Sequence, residues 1–257
     1  MNFRQLFVFA LFFLHSIFSS AEVLFEGYYK VTQFKKHIGF AVIRHETDGK
    51  AKTFKTTSFV RLAKQKFDMT EAYTAVSDEA FVPISLSYMA AGDKKTKTIE
   101  AKVKNLQLTG TVNEDGKKTK LNSALPKGAF FSSALYYLML KNGSSLKTGN
   151  KFDYVGITEE GPVPMNGTVS IDKNMVSQGS LQLFKVNNQF AGSDYDNLVN
   201  ARGEVLSAIT PATQLQTELV KNAEEATAGI KLTAGTLEKI FGKKPEGKIN
   251  SLNGKAK

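Results

Sequence analysis

From Val23 to Gly116 the chain alternates between short runs of β-branched and aromatic residues and compact turn signals. This rhythm constrains the fold more than any other feature. Residues 23–33 and 36–46 are rich in Tyr, Phe, Val and Ile around a short turn at Phe34-Lys35. Thr47-Asp48-Gly49-Lys50, Ala91-Gly92-Asp93 and Asn113-Glu114-Asp115-Gly116 read as turns between further strands at 53–62, 67–76, 81–89, 96–103 and 106–112. Ile99, Ala101 and Val103 fall on one face of such a strand and Glu100, Lys102 and Lys104 on the other. One face is therefore buried and the other wet. Strands resume at 151–157, 167–171, 180–186, 189–198 and 204–209, with Asn187-Asn188 read as a tight turn.

Two segments break the rhythm. After Leu125-Pro126-Lys127-Gly128, residues 129–141 contain no Gly or Pro and read as a helix. Its apolar residues surround it on nearly every side, so it needs burial on more than one face. Further on, Thr210-Pro211 looks like a helix start. Leu215, Leu219, Ala223, Ala226 and Ile230 then recur at helical spacing, predicting an amphipathic C-terminal helix. A short helix at 236–241 ends at Gly242. The fold class expected is α+β: a large curved antiparallel sheet, like an unclosed half-barrel, wrapping a central helix. Residues 22–242 form one domain in this reading, and the basic, Gly-containing residues 243–257 form a disordered tail.

Residues 1–21 carry one positive charge, Arg4, then an apolar run from Leu6 to Phe18, then Ser19-Ser20-Ala21. That is the pattern of a secretory signal peptide cut between Ala21 and Glu22. The apolar core is shorter than the ~20 residues of a spanning helix. No cysteine follows the cut, so lipoprotein processing is excluded. The expected location is periplasmic or secreted.

The chain has no cysteine at all, which removes disulfides, thiol nucleophiles and cysteine-ligated metal centres. Of its three histidines, His37 and His45 lie on one strand, both on one face by even spacing and roughly 26 Å apart at ~3.3 Å per residue. They cannot share a metal, and a solvent-facing position is expected for each. No Gly-x-Ser-x-Gly elbow or phosphate-binding glycine loop occurs. No cofactor is expected. The carboxylate clusters Glu159-Glu160 and Asp194/Asp196 leave a glycosidase-type pair as an alternative, with solvated turn positions as the plainer reading.

The formal net charge is +10, of which only Arg4 lies in the first 21 residues. The lysines are dispersed without recognition-helix spacing, which argues against nucleic acid; a solvated surface is the plainer reading and contact with an anionic membrane surface the sharper one. The strongest binding candidate is the central helix. Phe130, Phe131, Leu135, Tyr136, Leu138 and Met139 either fill a core or line a cleft suited to an acyl chain or an apolar peptide.

Glu26-Gly27-Tyr28-Tyr29-Lys30-Val31, followed by Lys36-His37-Ile38-Gly39-Phe40, resembles the opening of exported bacterial β-rich domains of unassigned function. Similar openings occur in domains that precede transglutaminase-like modules. Arg202-Gly203-Glu204-Val205-Leu206 resembles the late strand of such domains. The order of strands, internal helix and strands is similar to the periplasmic lipoprotein-carrier half-barrel. The resemblance implies fold and compartment and passes on no active site. The function expected is a non-enzymatic envelope protein that binds a hydrophobic ligand or an envelope protein partner. A carboxylate hydrolase and a purely structural envelope component are the alternatives.

Overall fold

The computed structural model describes residues 21–64, 68–92, 95–141 and 146–254. The segment read as a signal peptide lies outside them, apart from Ala21. The strands are β1 (Glu22–Gln33), β2 (Lys36–Asp48), β3 (Thr53–Leu62), β4 (Met69–Asp78), β5 (Pro83–Gly92), β6 (Lys95–Lys104), β7 (Gln107–Glu114) and β8 (Lys117–Ala124). They continue as β9 (Phe130–Phe131), β10 (Lys151–Ile157), β11 (Pro164–Ile171), β12 (Val176–Gln178), β13 (Leu181–Phe190), β14 (Ser193–Asn200), β15 (Val205–Thr210) and β16 (Leu215–Val220). Three short helices complete the set: α1 (Leu135–Lys141), α2 (Ala223–Thr227) and α3 (Thr236–Phe241).

All the strands join one sheet. Its order runs β8-β7-β6-β5-β4-β3-β2-β1-β16-β15-β14-β13-β11-β10-β9, with β12 on the flank of β13. Consecutive antiparallel hairpins lead outward on both sides of a central pair, β1 and β16. The ends of the path, β8 and β9, do not pair with each other among the described residues, so the sheet curls without closing. The predicted half-barrel around a central helix is the observed fold.

Turn chemistry sets the register. Phe34-Lys35, Asn105-Leu106, Asp115-Gly116 and Ala191-Gly192 each place two consecutive residues at positive φ. That is the twist a two-residue antiparallel hairpin needs. The turn expected at Asn187-Asn188 is in fact Ala191-Gly192, and the two asparagines lie within β13. They serve the sheet there: Asn187 Nδ2 donates to Asp196 across β14, and Asn188 Oδ1 accepts from the Tyr154 hydroxyl.

The central helix is shorter than the sequence pattern suggests. Phe130 and Phe131 form a parallel strand against Gly156 and Ile157. A 3₁₀ turn, Ser132–Ala134, follows before α1 begins. The free edge of β10 takes up backbone groups that a longer helix would have satisfied internally.

The amphipathic helix expected after Pro211 is replaced by a turn and β16, with helix resuming only as α2. Leu219 faces the inner core and Val220 the outer one, while Glu218 is exposed, so β16 is buried on both faces only at its carboxyl end. Leu215, Thr217 and Leu219 keep a period of two on the inner face, but Leu215 and Leu219 stand four apart and run on into Ala223 and Ala226, which matches a helical spacing as well. Asn222, not Thr210, caps the helix that does form, accepting from the Glu225 backbone NH.

The C-terminal residues make an outer layer. Ala226, Ile230, Leu237 and Phe241 pack on Tyr28, Phe40, Val42 and Phe59 of β1–β3. Residues 243–254, expected to be disordered, continue this layer. The Glu26 backbone NH donates to the Ile249 carbonyl, and Asn250 is fully buried. Its side chain donates to the Glu26 and Gly247 carbonyls. Polar side chains fix this segment, and composition alone did not reveal them.

The two layers require β1 and β2 to be apolar on both faces. A bulge helps to divide them. Val31 pairs with Gly39, but Thr32 pairs with His37, leaving Ile38 as an extra residue. Beyond the bulge the alternation of β2 is reversed.

Candidate ligand-binding cavity

A cavity of about 410 Å³ lies between α1 and the inner face of the sheet. Phe25 and Tyr29 of β1, with Ala41, Ile43 and His45 of β2, line one wall. Ser132, Ser133, Leu135, Tyr136 and Tyr137 form the opposite side. Thr158 and Glu160, after β10, lie at one end, and residues of β13–β16 complete the enclosure.

Gly203 brings α1 close to the sheet. Its φ is +76°, and a Cβ there would stand 2.8 Å from Leu140 Cδ1. Only glycine accepts both the conformation and the contact.

His45 is the least expected member of the wall. Instead of facing solvent it lies beneath Tyr137, at 4.7 Å between ring centroids, and stacks on Phe54 at 5.6 Å. Nδ1 is 3.0 Å from Thr56 Oγ1. Burial lowers its pKa to about 3, so the ring is neutral at physiological pH. His37 belongs to the other face, where Nε2 lies 3.0 Å from the Ala226 carbonyl of α2. The bulge at Ile38 is what separates the two rings, contrary to the expectation of one shared face.

The hydroxyls of the cavity differ in their partners. Tyr29 donates to the Val205 carbonyl at 2.9 Å. The Tyr136 hydroxyl is buried with no hydrogen-bond partner among the described residues. Burial also pushes its pKa far above the ordinary phenol value.

Acidic groups gather at the Thr158 end. Glu159 is buried, contrary to the solvated turn position expected for it; it accepts from Ser132 Oγ at 2.8 Å and from the Ser133 backbone NH at 3.1 Å. Burial raises its pKa despite those bonds. Glu71, on β4, is pushed up to about 7, first by burial and then by Glu160 and Glu159. Asp194 and Asp196 are exposed on β14 and do not line this cavity. No group of three or more histidines and carboxylates among the described residues is arranged to hold a metal ion.

Of the six residues proposed from sequence, Leu135 and Tyr136 line the cavity. Phe130 and Met139 are buried in the core behind it, and Leu138 packs against that core. Phe131 is buried in a neighbouring cluster with Leu86, Ile99 and Leu108. Sequence reasoning missed Phe25, Tyr29 and His45 on the opposite wall. The alternation Phe25-Gly27-Tyr29 was the available signal, since Gly27 leaves the Phe25 ring room to lie flat over the strand.

Fold and cavity together define a β-barrel-like protein: an unclosed curved sheet with a short helix inside it. No family model and no curated protein matches the chain. Among solved structures it is similar to a beta-barrel-like protein of domain of unknown function DUF1849 from Brucella abortus. The TM-score is 0.53 at 12% identity, covering 77% of this chain and 98% of that one. A DUF1089 family protein from Pseudomonas aeruginosa aligns with a TM-score of 0.35 at 10% identity, over 79% of this chain and 95% of that one. The DUF1849 likeness shows the fold alone.

Proposed function

We propose that this is a non-enzymatic protein of the bacterial envelope that binds an apolar ligand between α1 and the curved sheet. The observation that carries the reading is the cavity itself. A packed core would leave no such space at ordinary interior density, and about 410 Å³ lies within the range of small-molecule sites. Aromatic side chains supply much of its wall, which suits an acyl chain or a similar apolar body. The signal-peptide pattern of residues 1–21 supports export. No helix among the described residues is long and apolar enough to cross a membrane. The resemblance to lipoprotein-carrier half-barrels supports the same compartment; the likeness to domains preceding transglutaminase-like modules adds no chemistry.

Native mass spectrometry of protein purified from its producing cells tests the reading. A bound apolar molecule is expected, and filling the cavity by Ala208→Phe should release it while the folded spectrum is kept. Ligand-free protein that also fails to take up any apolar probe would end the proposal.

A second reading is favoured by one observation, the raised pKa values of Glu71 and Glu159 beside Glu160. A carboxyl pushed up to about 7, as that of Glu71 is, suits the acid of a carboxylate hydrolase. Glycoside turnover by the wild type that is lost in Glu160→Gln would establish it.

A further inference from the structure

The charge of the cavity wall restricts what can enter it. Its charged members are Glu204, which is buried, and Glu160, which is exposed; among the described residues no lysine or arginine lines it, although the chain as a whole is strongly basic. Glu204 is held by Asn200 Nδ2 at 2.7 Å and the Ser251 backbone NH at 3.0 Å. Arg202 stands outside the lining, 3.6 Å from Glu204 Oε1, and its charge is spent on that carboxylate. His45, neutral, brings no positive charge. An anionic head group inside would be desolvated beside like charges with no counter-ion, which is costly in a low-dielectric space.

The wall also contains an unmet demand. The Tyr136 hydroxyl is buried with no hydrogen-bond partner among the described residues, and Tyr136 is one of the residues that line the cavity. A buried donor without a partner loses free energy that a ligand acceptor would restore. We infer that the cavity selects uncharged ligands that join an apolar body to a carbonyl acceptor, as in an acyl ester, with the carbonyl received by the Tyr136 hydroxyl. This rests on the cavity-binding reading and narrows its ligand class.

Three probes with one acyl length separate the cases: monolauroylglycerol, laurate and dodecylamine, titrated below their micellar concentrations at pH 8 with calorimetric detection. The ester is expected to bind at least about ten-fold more tightly than laurate, a difference of ~1.4 kcal/mol. Tyr136→Phe should weaken ester binding by roughly three- to ten-fold, the span of one net hydrogen bond. Glu160→Gln, which alters a half of the acidic wall and leaves Tyr136 in place, should narrow the gap between ester and laurate.

Laurate bound as tightly as the ester would overturn the inference and leave the cavity-binding reading standing. So would dodecylamine bound more tightly than the ester, or ester binding indifferent to Tyr136→Phe. Binding of none of the three would remove both.

Discussion

Arg44 and Glu26 meet side by side on β2 and β1, with Nη2 2.6 Å and Nε 2.7 Å from Glu26 Oε2, and neither side chain reaches solvent to any useful extent. Two further atoms of the pair are hydrogen-bonded. Arg44 Nη1 donates to the Phe241 carbonyl, and Glu26 Oε1 accepts the backbone NH groups of Glu246 and Gly247. Removing one charge strands the other. Arg44→Met is expected to cost about 3–5 kcal/mol, the usual range for breaking a buried pair. Urea unfolding measures it, and a loss under ~1 kcal/mol would show that the pair does not hold the outer layer.

Acid and alkali should act on two different residues. His45 titrates near 6.5 when unfolded and near 3 in the fold. Between those values the unfolded chain holds a proton that the folded one does not. Its contribution is therefore complete above about 6.5 and is lost as pH falls towards 3. His45→Gln should flatten that acid limb in a series of melting temperatures against pH.

Glu71 works in the opposite sense. Its carboxyl titrates near 4.5 unfolded and about 7 in the fold, so the folded protein retains the proton between them. Its contribution is present below 4.5 and lost as pH rises through 7. Glu71→Gln should be more stable than the wild type at pH 8 and lose that advantage by pH 4. A difference that stays constant across the range would refute the assignment.

The Tyr136 hydroxyl gives a third test, independent of any ligand. Because it is buried without a partner among the described residues, Tyr136→Phe should cost less than ~0.5 kcal/mol in ligand-free protein, and is expected to be neutral or stabilising. A loss above ~1.5 kcal/mol would reveal an acceptor in the folded state.

Gly203→Ala probes the approach of α1 to the sheet. A side chain at φ +76° and 2.8 Å from Leu140 Cδ1 is strained twice over. A cost of about 1–3 kcal/mol is expected by thermal or urea unfolding. The measurement bears directly on the cavity, since Leu135, Tyr136 and Tyr137 are placed by the same helix.

The hairpins were legible because their signals are local. Thr53–Leu62 and Lys151–Ile157 are observed with the bounds read from sequence, and Ile99 and Ala101 are buried opposite exposed Glu100 and Lys102. Elements buried on two faces were not legible. His45 was misplaced because β2 is buried on both faces, and Leu215–Val220 mimicked a helix because Leu215 and Leu219 stand four apart and run on into Ala223. Half of the cavity wall followed the same logic: Leu135 and Tyr136 announced themselves as apolar helix residues, while Tyr29 is recognisable only once β1 is known to separate two cores.

The outer layer has a consequence for the order in which the protein can be completed. Glu26 is finished only by residues 220 positions further on, and β1 gains its second neighbour only when β16 exists. Contacts so distant in sequence form late and slowly. A growing chain that has already made β1–β8 therefore exposes Tyr28, Phe40, Val42 and Phe59 on one side and an unpaired β1 edge until its last segments emerge. During that interval the amino-terminal half is an unfinished surface, open to whatever accompanies the chain, and its closure is timed by the arrival of Phe241, Glu246 and Asn250.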